Sequence, residues 1–455
     1  MLVLEMMKYN VDDIAKALKV QPLLKGSLLS GFDGISIDSR TIKPGDLFFA
    51  LKGENFDGHK FIADVIDKQA AGVVVSEPFE SDKVAVFKVD DTLHALGDLA
   101  SYVRNRYDFK CIGITGSNGK TTTKELIAGC LQTKFNTFKS LGNFNNLIGL
   151  PLSIFNFDDS YQAAVFEMGM SVPGEITRLA QIARPQVGVF TNIAPAHLQS
   201  MGTIDAIAKA KYELIEGLPD DGVAIINADD KILSSWIKDI KQRVITYGIN
   251  EQADYQASQI MINNDGTSSF VVSGNLFTLN FPGSHNVYNA TAAIAVSSIF
   301  DIESASLVPV VRNLKPYNLR SEIINIDGIT VINDCYNANP ESMKAAIDVL
   351  SDFPAFGKRV AILGDMLELG TDEVKYHEAI GEYLQLKKID SLYAVGNLAA
   401  NYLAKFNGHL KDFYNDKDTM FDALKNKLQR GDVVLIKGSR KIALETITAK
   451  LLRKS

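Results

Sequence analysis

A glycine-rich segment ending in a lysine and three threonines carries the clearest chemical signal in the chain. It runs from Gly113 to Thr123 as Gly-Ile-Thr-Gly-Ser-Asn-Gly-Lys-Thr-Thr-Thr, between a predicted strand and a predicted helix. Backbone N–H groups in such a turn, together with the helix N-terminus, can surround phosphate oxygens. Lys120 would place its charge at the β- and γ-phosphates, and the Thr121 hydroxyl would bind Mg²⁺. The segment therefore predicts ATP binding, although general phosphate loops have glycine where Ile114 stands.

Charged and imidazole side chains follow two later strands and lie on one helix. Glu167 comes directly after the predicted strand 163–166, where a carboxylate could hold Mg²⁺ beside the phosphate loop. His197 is either a structural histidine or a metal ligand, because neutral imidazole binds metals well. Lys209 and Lys211 lie on one predicted helix, either as solvent-facing charges or with one lysine facing the nucleotide. Their spacing does not decide between these alternatives.

Polar groups recur at strand ends in the last third of the chain. A carboxylate, an aromatic ring and two amides lie in the strand-to-helix turn 334–343, and further polar clusters follow strands at 364–370 and 437–440. Loop clusters of this kind bind ligands more often than they pack, and we expect the three to share one rim of a sheet. Earlier, Asn289 could hydrogen-bond an adenine, or could belong to the polar first turn of a helix.

Two polar loops near the N-terminus could hold an anion. Arg40 follows a predicted strand, and Gly53 lies in the glycine-bearing loop 52–59. As isolated features, both are equally compatible with solvated surface.

Composition limits the class of protein. The chain has 455 residues, 46% of them hydrophobic, and a net charge of −7 without a long basic run. These values suit about three domains and argue against nucleic-acid binding. The cysteines Cys111, Cys130 and Cys335 form neither a disulfide pattern nor a zinc pattern. No apolar stretch has membrane-spanning length, and residues 1–8 do not form a signal peptide, so we expect a cytoplasmic protein.

Alternating strand and helix patterns predict an α/β protein of three domains. We place a small α/β domain at 1–108, a central parallel-sheet domain at 109–315 and a Rossmann-like domain at 316–455. Within the central domain, residues 257–279 predict an antiparallel excursion.

Together these motifs resemble the Mur ligase family, the ATP-dependent amino-acid ligases of peptidoglycan synthesis. The resemblance is strongest to members that add D-alanyl-D-alanine to a UDP-N-acetylmuramoyl-tripeptide, and it runs almost end to end. The segments that carry it are 38–40, 45–51, 57–59, 113–123, 142–146 with 148–152, 336–340 with 342–343, and 363–370. The Asp-Asn-Pro-Arg run of the sister ligase that adds diaminopimelate is absent.

The resemblance implies a reaction and a fold. The tripeptide carboxylate attacks the γ-phosphate of ATP to give an acyl phosphate, whose acyl carbon then accepts the amine of D-alanyl-D-alanine. The three domains become a uridine-nucleotide domain, an ATPase domain containing the phosphate loop and a C-terminal ligand-binding domain. We expect this last domain to close over ATP, and the protein to be a monomer.

The resemblance also implies roles for individual residues. Lys120, Lys211 and His197 are the expected catalytic residues. Thr121 and Glu167 would hold one Mg²⁺, and His197 with a carbamylated Lys211 would hold a second. The expected nucleotide-binding residues are Gly116, Ser117, Asn118, Gly119, Lys120, Thr121, Thr122, Asn289, Arg320, Asp334 and Tyr336. The expected substrate-binding residues are Ser39, Arg40, Gly53, Asp57, His59, Asn143, Asn145, Asn146, Asn337 and Asn339.

Two other functions stay open from the sequence. A related ligase such as folylpolyglutamate synthase would share the phosphate loop, Glu167 and His197, but not the uridine-domain loops. An ATP-dependent switch protein would leave the polar rim of the last domain without a role. The third residue of the accepted peptide, diaminopimelate or lysine, is also open.

Overall fold

The computed structural model describes residues 9–23, 31–53, 56–317 and 319–454. The chain forms two compact units, one from 1–110, 140–162 and 177–184, the other from 111–139, 163–176 and 185–455. The predicted domain limits stay predictions. No helix in the described ranges is both long and apolar enough to cross a membrane.

The N-terminal part contains a four-stranded parallel sheet of order β3-β4-β5-β6 and an antiparallel pair β1-β2. Its elements are β1 (Tyr9–Asn10), α1 (Val11–Leu18), β2 (Gly31–Phe32), β3 (Ile35–Ser36), β4 (Leu47–Phe49), a 3₁₀ turn (Gly58–Phe61), α2 (Ile62–Asp67), β5 (Gly72–Val75), β6 (Ala85–Lys88) and α3 (Thr92–Arg104). Asn10 begins α1 by accepting a hydrogen bond from the N–H of Asp13 at 2.7 Å, and Asp12 and Asp13 suit the positive end of the helix dipole.

The middle of the chain builds a seven-stranded sheet of order β13-β12-β11-β10-β7-β9-β8. Its elements are β7 (Lys110–Thr115), α4 (Lys120–Leu131), β8 (Thr137–Lys139), α5 (Gly149–Ile154), β9 (Ala163–Glu167), α6 (Glu175–Ala183), β10 (Val187–Phe190), α7 (Leu198–Met201), α8 (Ile204–Glu216), β11 (Val223–Asn227), α9 (Lys231–Trp236), β12 (Arg243–Gly248), β13 (Tyr255–Gln256), β14 (Ser258–Ile262), β15 (Ser268–Val272), β16 (Asn275–Leu279), α10 (Ser284–Ile299) and α11 (Ser304–Asn313). Strands β14 to β16 form a separate antiparallel sheet, as the pattern of 257–279 predicts. Helices α4 and α10 pack together over the seven-stranded sheet, in one apolar core.

The C-terminal part is a three-layer α/β fold on a six-stranded sheet of order β17-β18-β22-β19-β20-β21. Its elements are β17 (Glu322–Ile326), β18 (Ile329–Asn333), α12 (Pro340–Asp352), β19 (Arg359–Gly364), a 3₁₀ turn (Gly370–Asp372), α13 (Glu373–Leu386), β20 (Ser391–Val395), a 3₁₀ helix (Ala399–Ala404), β21 (Leu410–Tyr414), α14 (Lys417–Leu424), β22 (Val433–Lys437), a 3₁₀ turn (Arg440–Ile442) and α15 (Glu445–Lys454). Strands β18, β22 and β19 are parallel neighbours, so the polar clusters that follow them share one rim, as expected.

Helix α4 begins at Lys120, although the apolar pattern indicates its helical character only from Lys124 onward. Threonines have modest helix propensity, so the run Thr121–Thr123 gives a weak local signal. The threonines in the first turn of α4 are nevertheless buried, and Thr123 has no solvent exposure. Tertiary packing therefore sets the start of this helix.

Candidate active site

The phosphate loop connects β7 to α4 and has a backbone that only glycine adopts easily. Gly116 and Gly119 have φ values of +148° and +82°, which strongly disfavour other residues. A Cβ atom on Gly116 would lie 1.8 Å from Oγ1 of Thr191, at the end of β10. The N–H of Ser117 donates to the carbonyl of Asn192 at 2.9 Å. The end of the neighbouring strand therefore holds the loop in place.

Lys120 turns back over the phosphate loop. Its Nζ donates to the carbonyl oxygens of Gly116 at 2.8 Å and Ser117 at 3.3 Å. Burial lowers the pKa of Lys120 below its usual range, the negative charge of Glu167 opposes this, and the positive charge of Arg320 adds to it. The Lys120 side chain thus folds onto the phosphate loop, and its contact with the phosphates stays a prediction.

The Thr121 hydroxyl lies between an acid and a guanidinium. It donates to Oε2 of Glu167 at 2.8 Å and accepts from Arg320 at 3.1 Å. Thr121 and Glu167 are 1% and 2% exposed, so their oxygens form a dry pair. Hydroxyl and carboxylate oxygens suit Mg²⁺, so these residues fit the expected metal. Arg320 stacks 3.9 Å over the ring of Tyr336, and its Nε is buried without a hydrogen-bond partner among the described residues.

His197 begins the short helix α7 with a left-handed backbone at φ +56°. Its Nδ1 contacts Oε2 of Glu368, from the C-terminal part of the chain, at 2.9 Å. Burial and the positive charges of Lys120 and Lys211 lower the pKa of His197, while Glu368 acts to raise it. Imidazole in its neutral form can bind a metal.

The structure separates the two lysines of α8. Lys209 is exposed, whereas Lys211 is 3% exposed. Burial, with the positive charge of Lys120, holds the pKa of Lys211 well below its usual range. No hydrogen bond or ion pair of the Lys211 Nζ is found in the part of the chain that the structure describes. Of the two lysines, Lys211 is thus the buried one, and its charge acts on His197; its role in the site stays a prediction.

A reciprocal carboxamide pair joins the phosphate loop to the turn before α12. Asn339 donates to Oδ1 of Asn118 at 2.7 Å, and Asn118 donates back to Oδ1 of Asn339 at 3.3 Å. Asn339 also caps α12 in a capping box with Ser342. The helix cap thus orients the amide that contacts the loop.

Asp334 and the turn after it are held by a buried lysine. Lys437 donates to Oδ2 of Asp334 at 2.5 Å and to the carbonyl of Asn337 at 3.0 Å. The N–H of Ser321 donates to Oδ1 of Asp334 at 3.0 Å. Burial acts to raise the pKa of Asp334, but Lys437 outweighs it and the pKa falls below its usual range. The predicted nucleotide role of Asp334 stays a prediction.

Asn289 contacts the start of α4 rather than only its own helix. Its Oδ1 accepts from the Thr123 hydroxyl at 3.1 Å, and its Nδ2 donates to Asn286 at 3.3 Å. A Cβ on Gly119 would lie 2.5 Å from the same Oδ1. Thr122, a predicted nucleotide-binding residue that directly precedes Thr123, is buried. The adenine role of Asn289 stays a prediction.

The predicted substrate residues of the first compact unit bond other residues of the same unit. Arg40 donates to both carboxylate oxygens of Asp38, at 2.9 and 2.6 Å, and the pair is exposed. The carbonyl of Ser39 accepts from Lys68 at 2.6 Å. The N–H of Gly53 donates to the carbonyl of Phe56 at 2.8 Å.

His59 has partners on both ring nitrogens. Nδ1 contacts Asp57 at 2.7 Å, and Nε2 accepts from the N–H of Ser76 at 3.0 Å.

The asparagines of the segment 143–146 also have partners nearby. Asn146 accepts from the N–H of Gly149 at 2.8 Å, at the start of α5, and the N–H of Asn145 donates to the carbonyl of Asn143 at 2.7 Å. Substrate contacts by these residues stay predictions.

Sequence reasoning assigned no role to three residues that organise the site. Asn192 holds the phosphate loop through its carbonyl and its Oδ1, which accepts from the N–H of Asn118 at 2.9 Å. Glu368 contacts His197, and Lys437 holds Asp334. Asn192 and Glu368 follow strands and Lys437 ends one, so the position at a strand end was the available signal, but their partners are far along the chain.

Family models match most of the chain in three consecutive blocks. Residues 31–104 match the catalytic domain of the Mur ligase family, 114–297 the Mur ligase middle domain, and 319–440 the Mur ligase glutamate ligase domain. A protein of Bacillus subtilis strain 168 named UDP-N-acetylmuramoyl-tripeptide–D-alanyl-D-alanine ligase is 38% identical, over 97% of each chain. This chain belongs to the Mur ligase family.

Other Mur ligases extend the match to solved structures. The Escherichia coli K12 protein of the same name is 34% identical over 92% of this chain and 93% of its own length. MurF of Acinetobacter baumannii superposes with a TM-score of 0.90 at 30% identity, over 98% of this chain and 99% of that one. MurF of Thermotoga maritima, solved with ADP, has a TM-score of 0.84 at 30% identity, over 92% and 98%. The predicted three-domain α/β fold is confirmed.

Proposed function

We propose that this protein is the ATP-dependent ligase that joins D-alanyl-D-alanine to UDP-N-acetylmuramoyl-tripeptide, giving the UDP-linked pentapeptide precursor of peptidoglycan. The observation that carries the proposal is the contact set of Thr121. Its hydroxyl bonds Glu167 at 2.8 Å and Arg320 at 3.1 Å. A phosphate-loop residue, a carboxylate suited to Mg²⁺ and an arginine from the C-terminal part thus meet at one atom.

The reaction has two chemical steps. The tripeptide carboxylate attacks the γ-phosphorus of ATP, the bond to the bridging oxygen breaks, and ADP leaves. The amine of D-alanyl-D-alanine then attacks the acyl carbon of the resulting acyl phosphate. The tetrahedral intermediate expels inorganic phosphate, and the amine loses a proton as the amide forms.

The residues contribute positioning and charge, as expected for phosphoryl transfer. Lys120, folded over the loop, would meet the transferring phosphoryl group. Arg320, with an unpartnered buried Nε and a face stacked on Tyr336, would add positive charge from the C-terminal domain. Asn118 lies in the phosphate loop, Asn289 contacts the start of α4, and Asp334 accepts from the N–H of Ser321, next to Arg320. We assign all three to the nucleotide.

We propose two magnesium positions, held by the predicted side chains. Thr121 and Glu167 would hold the first, and His197 with Lys211 would hold the second. Magnesium supplies neutralisation of phosphate charge. Burial holds the pKa of the Lys211 amine well below its usual range, which favours the neutral form that can add carbon dioxide and release a proton to become a carbamate. Such a carbamate would give an oxygen ligand.

We assign the remaining predicted residues to the UDP-tripeptide substrate. Arg40 offers a positive charge to the phosphates of a uridine nucleotide, and Asn337 and Asn339 lie in the turn after β18, on the rim of the C-terminal sheet. We further propose that the protein acts as a monomer in the cytoplasm, on domains limited at residues 108 and 315. The third residue of the peptide stays open.

Phosphate release from ATP tests the function directly. The protein should release phosphate only when UDP-N-acetylmuramoyl-tripeptide and D-alanyl-D-alanine are both present, with the UDP-linked pentapeptide detected by mass spectrometry. Substrates carrying diaminopimelate or lysine should be compared in parallel. Release with a folate or a single amino acid in place of the dipeptide would contradict the proposal and indicate a sister activity.

A further inference from the structure

The loop that follows β19, residues 365–370, meets the His197 segment at two points. Oε2 of Glu368 lies 2.9 Å from Nδ1 of His197. The N–H of Gln199 donates to the carbonyl oxygen of the same glutamate at 3.2 Å. The 3₁₀ turn at 370–372 also packs against α7. One residue of the C-terminal domain therefore holds both the ring and the backbone of the histidine segment.

Hydrogen bonds and apolar packing within the C-terminal part of the chain hold the loop 365–370 in place. The N–H of Met366 donates to Nε2 of the buried His377 at 3.0 Å, and the N–H of Leu367 donates to the hydroxyl of Ser439 at 2.9 Å. Met366 and Leu369 are 0% and 2% exposed, so they anchor the loop in the apolar core. The position of Glu368 between them is therefore set by packing.

Both partners have strained backbones. Glu368 has φ +65° and His197 has φ +56°, in the left-handed region that non-glycine residues rarely adopt. Such conformations persist where the surrounding structure imposes them, and they cluster at functional sites. Here the strain places the two side chains in direct contact.

We propose that Glu368 is a positioning residue for His197, supplied by the C-terminal domain. Its carboxylate accepts the Nδ1–H proton, which leaves the Nε2 lone pair to face a ligand. Carboxylates that orient ligating histidines in this way are common second partners in metal sites. The proposal rests on the proposed function, in which His197 holds the second Mg²⁺. It also means that this site is complete only when the C-terminal domain is docked on the central one.

The first test reads the tautomer of His197 without turnover. In protein labelled with ¹⁵N-histidine, long-range ¹H–¹⁵N spectra distinguish Nδ1–H from Nε2–H imidazole. The chain has six histidines, and the His197 signal is the one missing in His197→Gln. We expect the Nδ1–H form in the wild type, its loss in Glu368→Ala and its retention in Glu368→Gln, whose amide oxygen still accepts the proton.

The second test separates kcat from KM. Glu368→Ala should lower kcat by about 10–100-fold, the usual effect of removing such a partner, with KM for D-alanyl-D-alanine unchanged. Glu368→Gln should recover most of that loss. In a His197→Ala background, Glu368→Ala should cause no further decrease. Asp372→Ala is the matched control, because Asp372 lies in the adjoining turn and pairs with the exposed Lys375 at 2.8 Å.

Three results would overturn the proposal. These are an Nε2–H tautomer in the wild type, an unchanged kcat in Glu368→Ala, and a lower kcat with an unchanged His197 signal. Thermal melting checks that each variant is folded, and the Glu368 side chain is 52% exposed, so its loss opens no cavity. If the wild type makes no pentapeptide, the proposed function fails, while the tautomer spectra still test the contact.

Discussion

Several candidate residues of the second compact unit reach partners much farther along the chain than those of the first, whose Ser39–Lys68 and His59–Ser76 contacts span 29 and 17 positions. In the first unit, Arg40 and His59 bond aspartates two positions away, and Asn146 bonds an N–H three positions away. In the second unit, Thr121 bonds a residue 46 positions away and Asn118 one 221 positions away. Short-range contacts can form wherever the local backbone is right. The ATP site requires the central and C-terminal domains to be folded and docked.

This difference makes the ATP site sensitive to single residues from several elements. His197 contacts a glutamate 171 positions later, and Asp334 contacts a lysine 103 positions later. In the ATP site, the loss of one side chain should therefore disturb its hydrogen-bond partner on a distant segment of the chain. Loss of a charge in the first unit should affect little beyond the ligand that it binds.

The largest effect should come from Lys120→Ala. Phosphate release should fall by about 10³–10⁵-fold, the range by which a cation at the transferring phosphoryl group accelerates phosphoryl transfer. The fold should be intact, because the Lys120 Nζ bonds only carbonyl oxygens of its own loop. Rapid-quench assays measure the rate of phosphate release, and circular dichroism checks that the variant is folded. Near-normal turnover in a folded variant would remove Lys120 from the mechanism.

Breaking the Asp334–Lys437 pair should give the largest change in stability. Lys437→Ala leaves a buried carboxylate unpaired, which should lower the free energy of unfolding by roughly 3–5 kcal/mol in urea titrations. Lys344→Ala, which removes an exposed pair with Glu341, should change it by less than ~1 kcal/mol. Equal effects would show that burial of the pair is unimportant.

The same pair predicts a pH dependence. The folded-state pKa of Asp334 lies below its usual value, so the pair stabilises the protein above the ordinary carboxyl pKa. That contribution is lost as pH falls through the folded-state value. The stability difference between wild type and Lys437→Ala should therefore narrow in acid. A difference that is constant down to pH 2, well below an ordinary carboxyl pKa, would contradict this.

Lys211→Ala should lower ligase activity by about 10²-fold, as expected when one charge that stabilises the transition state is removed. Short carboxylic acids should restore part of the activity by replacing the carbamate. Lys209→Ala, two positions away on the exposed face of α8, is the matched control and should be unaffected. ¹³C spectra with labelled carbon dioxide would detect the carbamate itself. Full activity of Lys211→Ala without added carboxylic acid would exclude Lys211 from the mechanism.

In the first unit, Arg40→Ala should weaken binding of the UDP-linked substrate by about tenfold, the effect of one hydrogen bond to a charged group. We expect KM to rise while kcat and the melting temperature stay unchanged, because the Arg40–Asp38 pair is exposed. Lys60→Ala, also exposed, serves as the control. A lower kcat would show that this region, too, acts on the reaction.

The smallest effect should come from the amide pair between Asn118 and Asn339. Asn339→Asp keeps the cap of α12 but loses the donor to Asn118, and should weaken ADP binding about fivefold, for one hydrogen bond. Calorimetry of the single variants and of the double variant with Asn118→Ala measures the coupling. If the losses of ADP-binding free energy in the two single variants add up to the loss in the double variant, the amide contact does not couple the phosphate loop to the cap of α12.

Local patterns in the sequence were enough to predict much of the fold. The phosphate loop, the β14–β16 excursion and the rim of polar clusters follow from glycine placement and alternating apolar runs, whose physics is local. The start of α4 at Lys120 and the choice of Lys211 over Lys209 were not predictable in this way. Both depend on burial by distant segments.

The sequence by itself determined the chemical inventory of this protein: a phosphate loop, acids and amides after parallel strands, and the family to which these motifs belong. Only the tertiary structure decided which groups meet. The Glu368–His197 and Asn118–Asn339 contacts join residues on different domains. No local preference encodes such contacts, because their formation depends on the packing of two separate sheets.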